Sequence, residues 1–228
     1  MESEKCANLA AVLQHADATF PSGSVSFSWG LESLCNQGIV KDVATVAGFV
    51  SAHLRGRWAS LDRVMMVHAH YAALDLNEVA WLDMLVEAQS LSTEQRMGSS
   101  RVGAALLSTH RRLGSKVAED YAEMIELGKA YGHMPVVQGL IWGQCGFDST
   151  LIQCMGAHGI CTSLLGAAVR LSAIGHIDAQ IVHSNLIPLI ARIVSTPVGR
   201  PDECHSFIPQ IEIASMKHET DEIRLFVN

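Results

Sequence analysis

The feature that most constrains this chain is an uncharged segment of 21 residues, from Ser149 to Val169. Its length is about what an α-helix needs to cross a bilayer. Polar side chains such as Gln153, His158 and Thr162 interrupt it, and each would need a partner inside hydrocarbon. A helix enclosed by other helices explains the same pattern without that cost. We therefore predict no membrane span, but a buried central helix around Leu151 to Leu171.

The apolar spacing is helical almost everywhere else as well. Val102, Leu106 and Leu113 fall on one helical face, and no stretch shows the sustained two-residue alternation of a half-buried strand. Asp42, Ser92, Asp75 and Asp148 stand where helix N-caps are expected, and Pro188 should kink or break a helix running from Ile177 to Val194. The sequence therefore predicts an all-α fold, a single-domain bundle of roughly ten helices spanning residues 1–228.

The amino-acid composition of the chain changes after Thr196. Pro197, Pro201 and Pro209 are half of the six prolines, and carboxylates outnumber bases in this stretch. The chain nevertheless ends on the apolar pair Leu225 and Phe226, which would gain nothing from lying in solvent. We predict a core of about residues 6–196 and a C-terminal arm of about residues 197–228 that docks on its own core or on a partner.

Composition and charge exclude several classes of function. With 16 Lys and Arg against 23 Asp and Glu, the net charge is −7, which argues against nonspecific nucleic-acid binding. The N-terminus is acidic where a secretory signal peptide would begin with basic residues, so we expect a cytoplasmic protein. The six cysteines include no C-x-x-C pair, and in a reducing compartment they indicate buried thiols more than disulfides.

Two partial matches to catalytic or phosphate-binding motifs are incomplete. Gly128-Lys129 lacks the glycine and hydroxyl residues of a phosphate-binding loop, and Gly23 to Phe27 misses the last glycine of a nucleophile elbow. The sequence therefore assigns no catalytic residue and no cofactor. One alternative stays open, because Cys154, His158 and Cys161 recur at i, i+4 and i+7 on one helical face and could make the chain a helical metal-binding protein or metalloenzyme.

Acidic and basic residues are segregated in the middle of the chain. Residues 75–94 contain five carboxylates and no base, and residues 96–116 contain five bases and no carboxylate. Patches of opposite charge can orient a protein partner. Two solvated helix faces would show the same pattern, so both interpretations remain open.

Two segments at opposite ends of the chain carry a specific signature. The first is Phe20-Pro21-Ser22-Gly23-Ser24-Val25-Ser26-Phe27-Ser28-Trp29-Gly30-Leu31-Glu32, and the second is Ser215-Met216-Lys217-His218-Glu219 followed by Arg224-Leu225-Phe226. Together with the intervening Arg170-Leu171-Ser172-Ala173-Ile174-Gly175 segment, they resemble the UreF family of urease accessory proteins. The family commonly has Tyr where Phe27 stands, so any hydrogen bond of that hydroxyl is missing here.

This resemblance implies an all-helical homodimer that is not an enzyme. It implies a nickel-dependent assembly chaperone that binds the accessory protein UreD, also called UreH, and recruits and modulates the GTPase UreG. Nickel would then be inserted into apo-urease. In the family the C-terminal arm becomes ordered on binding UreD. The resemblance further points to eight partner-binding positions: Phe27, Ser28, Glu32, His218, Glu219, Arg224, Leu225 and Phe226.

Overall fold

The structure, a computed structural model, describes residues 2–17, 19–23, 26–218 and 225–226. Within these ranges the chain forms helices and no strand, which confirms the predicted all-α class. A π-helical segment, Leu54–Asp62, joins α3 and α4 into one continuous helix, so the described ranges contain ten separate helices. The bounds are α1 Glu2–Ala16, α2 Leu31–Asn36, α3 Val43–His53, α4 Arg63–Tyr71, α5 Leu76–Gln89, α6 Thr93–Arg112, α7 Lys116–Glu126, α8 Met134–Gln144, α9 Ser149–Arg170, α10 His176–Val194 and α11 Pro209–His218.

The predicted N-caps begin these helices. The Asp42 carboxylate accepts a hydrogen bond from the Thr45 main-chain N–H, and the Ser92 hydroxyl accepts one from an N–H in the first turn of α6. Asp75 and Asp148 each accept two such bonds, at α5 and α9. These side chains satisfy main-chain donors that have no partner within the helix.

Helix α9 is the predicted central helix, and its burial is confirmed. It is the one helix in the described ranges whose length and composition would allow a membrane crossing. Nevertheless, 67% of its most apolar stretch of 18 residues is buried inside the protein. Ile152, Ala157, Leu164 and Ala168 are fully buried along it. Burial among neighbouring helices, and not lipid, therefore accounts for the apolar character of this segment.

Helix α8 packs closely against α4, and a glycine permits the approach. A Cβ placed on Gly139 would collide with the main-chain carbonyl oxygen of Met66. On the same helix Val136, Val137 and Leu140 are fully buried. Gly139 thus sets the distance between two core helices.

A buried carboxylate fixes the loop that leads into α8. Asp83 is fully buried on α5, and it accepts hydrogen bonds from the Tyr121 hydroxyl and from the main-chain N–H groups of Tyr131, Gly132 and His133. Glu94, from the same acidic stretch, is also buried. Both interpretations of residues 75–94, a partner-orienting patch and a solvated helix face, therefore fail for two of the five carboxylates, which accept hydrogen bonds in the interior.

Helix α10 continues through Pro188 without a break. The proline lies on an exposed part of the helix, so the carbonyl that loses its hydrogen-bond donor can bond to water instead. The predicted break at this position is therefore wrong, whereas a kink at Pro188 stays a prediction.

The segment after α10 runs along the π-helical segment. The main-chain N–H of Phe207 donates to the Gly56 carbonyl oxygen at 2.8 Å, and that of His205 donates to the Ser60 oxygen at 3.1 Å. A Cβ on Gly56 would lie 2.7 Å from the Phe207 oxygen, so only glycine allows this approach. The chain then enters α11, which packs on α2 and α6.

Gly139→Ala tests the close packing of α4 and α8. The added methyl group would force two core helices apart, and we expect the free energy of unfolding to fall by about 1–3 kcal/mol, which is several degrees in Tm. The control is Gly48→Ala within α3, where a Cβ meets nothing within 4 Å. Alanine is the better helix former, so this variant should be as stable as the parent or slightly more stable. Equal Tm changes in the two variants would contradict the packing argument.

Candidate partner-binding site

The first motif segment ends in a tight reversal that places Glu32 in the protein interior. Trp29 and Gly30 both have positive φ, at 53° and 85°, and Gly30 is the N-cap of α2. A Cβ on Gly30 would lie 2.9 Å from the Ile211 carbonyl oxygen, so α11 rests directly on this turn. Glu32 follows in the first turn of α2 and is 4% exposed.

His218 lies between two buried carboxylates. Its Nδ1 is 2.8 Å from Glu94 Oε1, and its Nε2 is 3.0 Å from Glu32 Oε2. A carboxylate can only accept, so both ring nitrogens donate and the imidazole carries a positive charge. Glu32 and Glu94 lie in the first turns of α2 and α6, and His218 in the last turn of α11, where helix dipoles favour these charges.

The pKa of His218 is raised in the folded protein. Burial alone lowers the pKa of His218, but the hydrogen bonds and negative charges of Glu94 and Glu32 outweigh burial and hold it above the ordinary value of 6.5. The charged form is therefore the one that the fold stabilises.

Glu32 also binds the end of the chain. Its Oε1 accepts a hydrogen bond from the Leu225 main-chain N–H at 2.6 Å, and its Oε2 accepts one from the Phe226 N–H at 3.1 Å. The Phe226 side chain is buried, with the Arg170 guanidinium 4.3 Å above its ring centroid. Leu225, in contrast, is 63% exposed. We call Glu32, Glu94, His218 and the main chain of Leu225 and Phe226 the C-terminal latch.

Comparisons with known proteins show to which family the chain belongs. Residues 40–187 match the family model described as UreF. The urease accessory protein UreF of Yersinia enterocolitica is 29% identical over 226 residues, which cover 97% of this chain and 98% of that protein. The UreF of Yersinia pseudotuberculosis is 30% identical over the same shares of the two chains. This chain belongs to the UreF family. It is therefore an accessory protein and not an enzyme.

The latch joins segments that lie on either side of the range matched by the family model. Glu32 precedes residue 40, and His218 and Phe226 follow residue 187. The Yersinia UreF proteins align over 97% of the chain, so the similarity extends well beyond residues 40–187. The two motif segments that the sequence singles out are thus brought into one site by the fold.

Five of the eight predicted positions are buried. Phe27 is 4% exposed, its ring centroid lies 5.5 Å from that of Trp29, and a Cβ on Gly98 would lie 3.1 Å from its ring. Ser28 is fully buried as well. With Glu32, His218 and Phe226, these residues support the site from inside. Leu225 is exposed, and Glu219 and Arg224 lie outside the described residues.

Sequence reasoning missed two residues of this site. The charge pattern groups Glu94 with the acidic stretch of residues 75–94, and nothing in its local sequence indicates that it faces His218 from 124 positions away. Arg170 belongs to a segment shared with the family, but only the structure places it over the Phe226 ring. Its membership of that segment is the one feature of the sequence that could have pointed to Arg170.

The alternative metal site at Cys154, His158 and Cys161 is wrong. Cys154 is exposed, whereas Cys161 is buried, so the two thiols lie in different surroundings. The His158 ring instead lies next to His183, with 5.0 Å between ring centroids. In the described ranges, the ligand atoms that converge belong to other residues, namely His15, His110 and Cys145.

The latch predicts a pH-dependent stability that His218→Gln should remove. The pKa of His218 is raised in the folded state, so its stabilisation is complete below pH 6.5, its ordinary pKa, and is lost as the pH rises through the higher folded-state pKa. At pH 6 we expect the variant to be less stable by about 2–3 kcal/mol, and the difference to shrink as the pH is raised.

Urea unfolding at a series of pH values measures this difference. His176→Gln is the matched control, because His176 is exposed at the start of α10. A stability difference for His218→Gln that does not vary with pH would contradict the assignment of a charged imidazole.

Proposed function

We propose that this protein is a urease maturation factor that binds UreD (UreH), recruits and modulates the GTPase UreG, and so promotes nickel insertion into apo-urease. Membership of the UreF family supports this role. The structural observation that carries it is the latch, which holds the two family motif segments together and leaves Leu225 exposed beside them. The protein would then act through its surface, in the cytoplasm, with neither nucleic acid nor membrane as a partner.

Apolar side chains are exposed both on α11 and at Leu225. On α11, Ile213 and Met216 are three residues apart and are 53% and 43% exposed, and Leu225 is 63% exposed. Exposed apolar side chains in one region are typical of a surface that a protein partner covers. Arg224 lies outside the described residues, and its proposed role rests on the resemblance and on the frequency of arginine among residues that dominate binding.

The buried members of the site have a supporting role in this proposal. Phe27 and Ser28 fix the turn that leads to Glu32, and Glu32 with His218 fixes the end of the chain. These residues would affect recruitment by positioning Leu225 and its neighbours, without touching a partner themselves. Glu219 follows His218 directly and would contribute to the same surface.

A homodimer is also part of the proposal. Ile177, Ile181 and Ile187 on α10 are 75%, 51% and 56% exposed, and such a stripe on one helix fits a second copy of the chain. A mass in solution of twice the 24.6 kDa of one chain would support the dimer, and the mass of one chain would contradict it.

Leu225→Glu tests the recruitment surface. The charge would oppose burial of this site by a partner, so we expect capture of UreD and UreG on co-expression to weaken at least tenfold, with an unchanged Tm. Leu74→Glu is the control for Leu225→Glu, because Leu74 is 96% exposed in the turn before α5.

Arg224→Ala should weaken retention of UreG while leaving the fold and the dimer intact.

Urease activity in cells that carry each variant gives the functional readout. Activity should fall with Leu225→Glu and persist with Leu74→Glu. Equal capture of UreD and UreG by the two glutamate variants would contradict the proposed partner-binding surface. Full urease activity in cells that lack this protein would contradict the proposed function.

A further inference from the structure

Three metal-ligating side chains meet at the junction of α1, α6 and the end of α8. His15 lies in the last turn of α1, His110 in the last turn of α6, and Cys145 follows the last residue of α8. Their ligand atoms all lie within 4.8 Å of one another, and His15 Nε2 is 4.0 Å from Cys145 Sγ. Ligands around one tetrahedral ion are about 3.5 Å apart, so small side-chain rotations would close the set.

The His15 ring is already oriented for coordination. Its Nδ1 lies 2.7 Å from the Ala11 carbonyl oxygen, which can only accept, so Nδ1 carries the hydrogen. Nε2 then has a free lone pair, and it is the nitrogen that faces Cys145. A ligating histidine that donates its other ring N–H to a main-chain carbonyl is the usual arrangement in metal sites.

His110 supplies a second, independent observation. It is 4% exposed, and its Nε2 is buried without a hydrogen-bond partner among the described residues. A buried polar atom without a partner is costly and indicates a missing ligand such as an ion or a water molecule. The His110 ring stacks on His15, with 5.1 Å between centroids, so His110 belongs to the same cluster.

The surroundings define the class of ligand. Phe20 stacks on the His15 ring at 4.9 Å, and Phe147 meets it edge-on at 5.4 Å, so one side of the cluster is apolar. Cys145 is exposed and leaves the other side open to solvent. Two imidazoles and a thiolate, without a carboxylate, suit late first-row transition metals and not Mg²⁺ or Ca²⁺.

We propose that His15, His110 and Cys145 form a binding site for a divalent late first-row transition-metal ion, with a fourth position open to water. The ion would displace the thiol proton of Cys145 and bind the thiolate. It would also tie α1 to the rest of the protein, because α1 has no buried residue of its own. The proposal does not depend on the role in urease maturation.

Titration with Co²⁺ alone tests the site on purified, reduced and metal-free full-length protein. We expect one equivalent per chain and a near-ultraviolet absorption band from the thiolate–Co²⁺ bond. Cys145→Ser should abolish this band, and Cys154→Ser, which alters another exposed thiol, should keep it. His15→Gln should weaken Co²⁺ binding tenfold or more, and it should fold because no residue of α1 is fully buried.

Three outcomes would overturn the proposal. They are a wild-type protein that shows no thiolate band with one equivalent of Co²⁺, a band that survives in Cys145→Ser, and an unchanged Co²⁺ affinity in His15→Gln. None of these readouts involves urease or its accessory proteins, so failure here leaves the proposed function untouched.

Discussion

The protonated imidazole of His218, held between Glu32 and Glu94, is the interaction on which the site depends. Two carboxylates buried this close together would repel each other and would be costly to keep ionised. The imidazolium places a positive charge between them and satisfies one oxygen of each. Glu32 can then use its remaining capacity to bind the main chain of Leu225 and Phe226. The position of Leu225 and Phe226 is thus set by a charge balance in the interior.

This charge balance needs a rigid frame, and the central helices provide it. α9 is buried along most of its length, and α8 packs on α4 at a distance set by Gly139. α2 and α6 present Glu32 and Glu94 from the N-terminal ends of two helices, where carboxylates are favoured. α11 brings His218 from its C-terminal end, where a cation is favoured. Each charged side chain of the latch therefore lies at the helix end whose dipole stabilises its charge.

Much of the fold could be predicted from the sequence, because it depends on local patterns. The caps at Asp42 and Asp148 and the buried α9 follow from side-chain chemistry and apolar spacing within a few residues. The motif segments could also be recognised, since their residue types are specific. The mutual position of those segments could not be predicted, because Glu94 and His218 meet across 124 positions through tertiary packing alone.

Two interpretations failed for a related physical reason. The charges of Asp83 and Glu94 suggested an exposed surface, but main-chain donors and His218 satisfy them inside the protein. The spacing of Cys154 and Cys161 suggested a shared face, but one thiol is exposed and the other buried. Residues that do converge, such as His15 and Cys145, lie on different elements and have no common sequence period.

A double-mutant cycle on Glu32 and His218 tests the central claim most directly. The free energies of unfolding would be measured at pH 6 for the parent, Glu32→Gln, His218→Gln and the double variant. If the two side chains stabilise each other, the double variant should lose less than the sum of the single losses, with a coupling of about 1 kcal/mol or more. Strictly additive losses would show that the two residues act independently, and they would contradict the account of the latch.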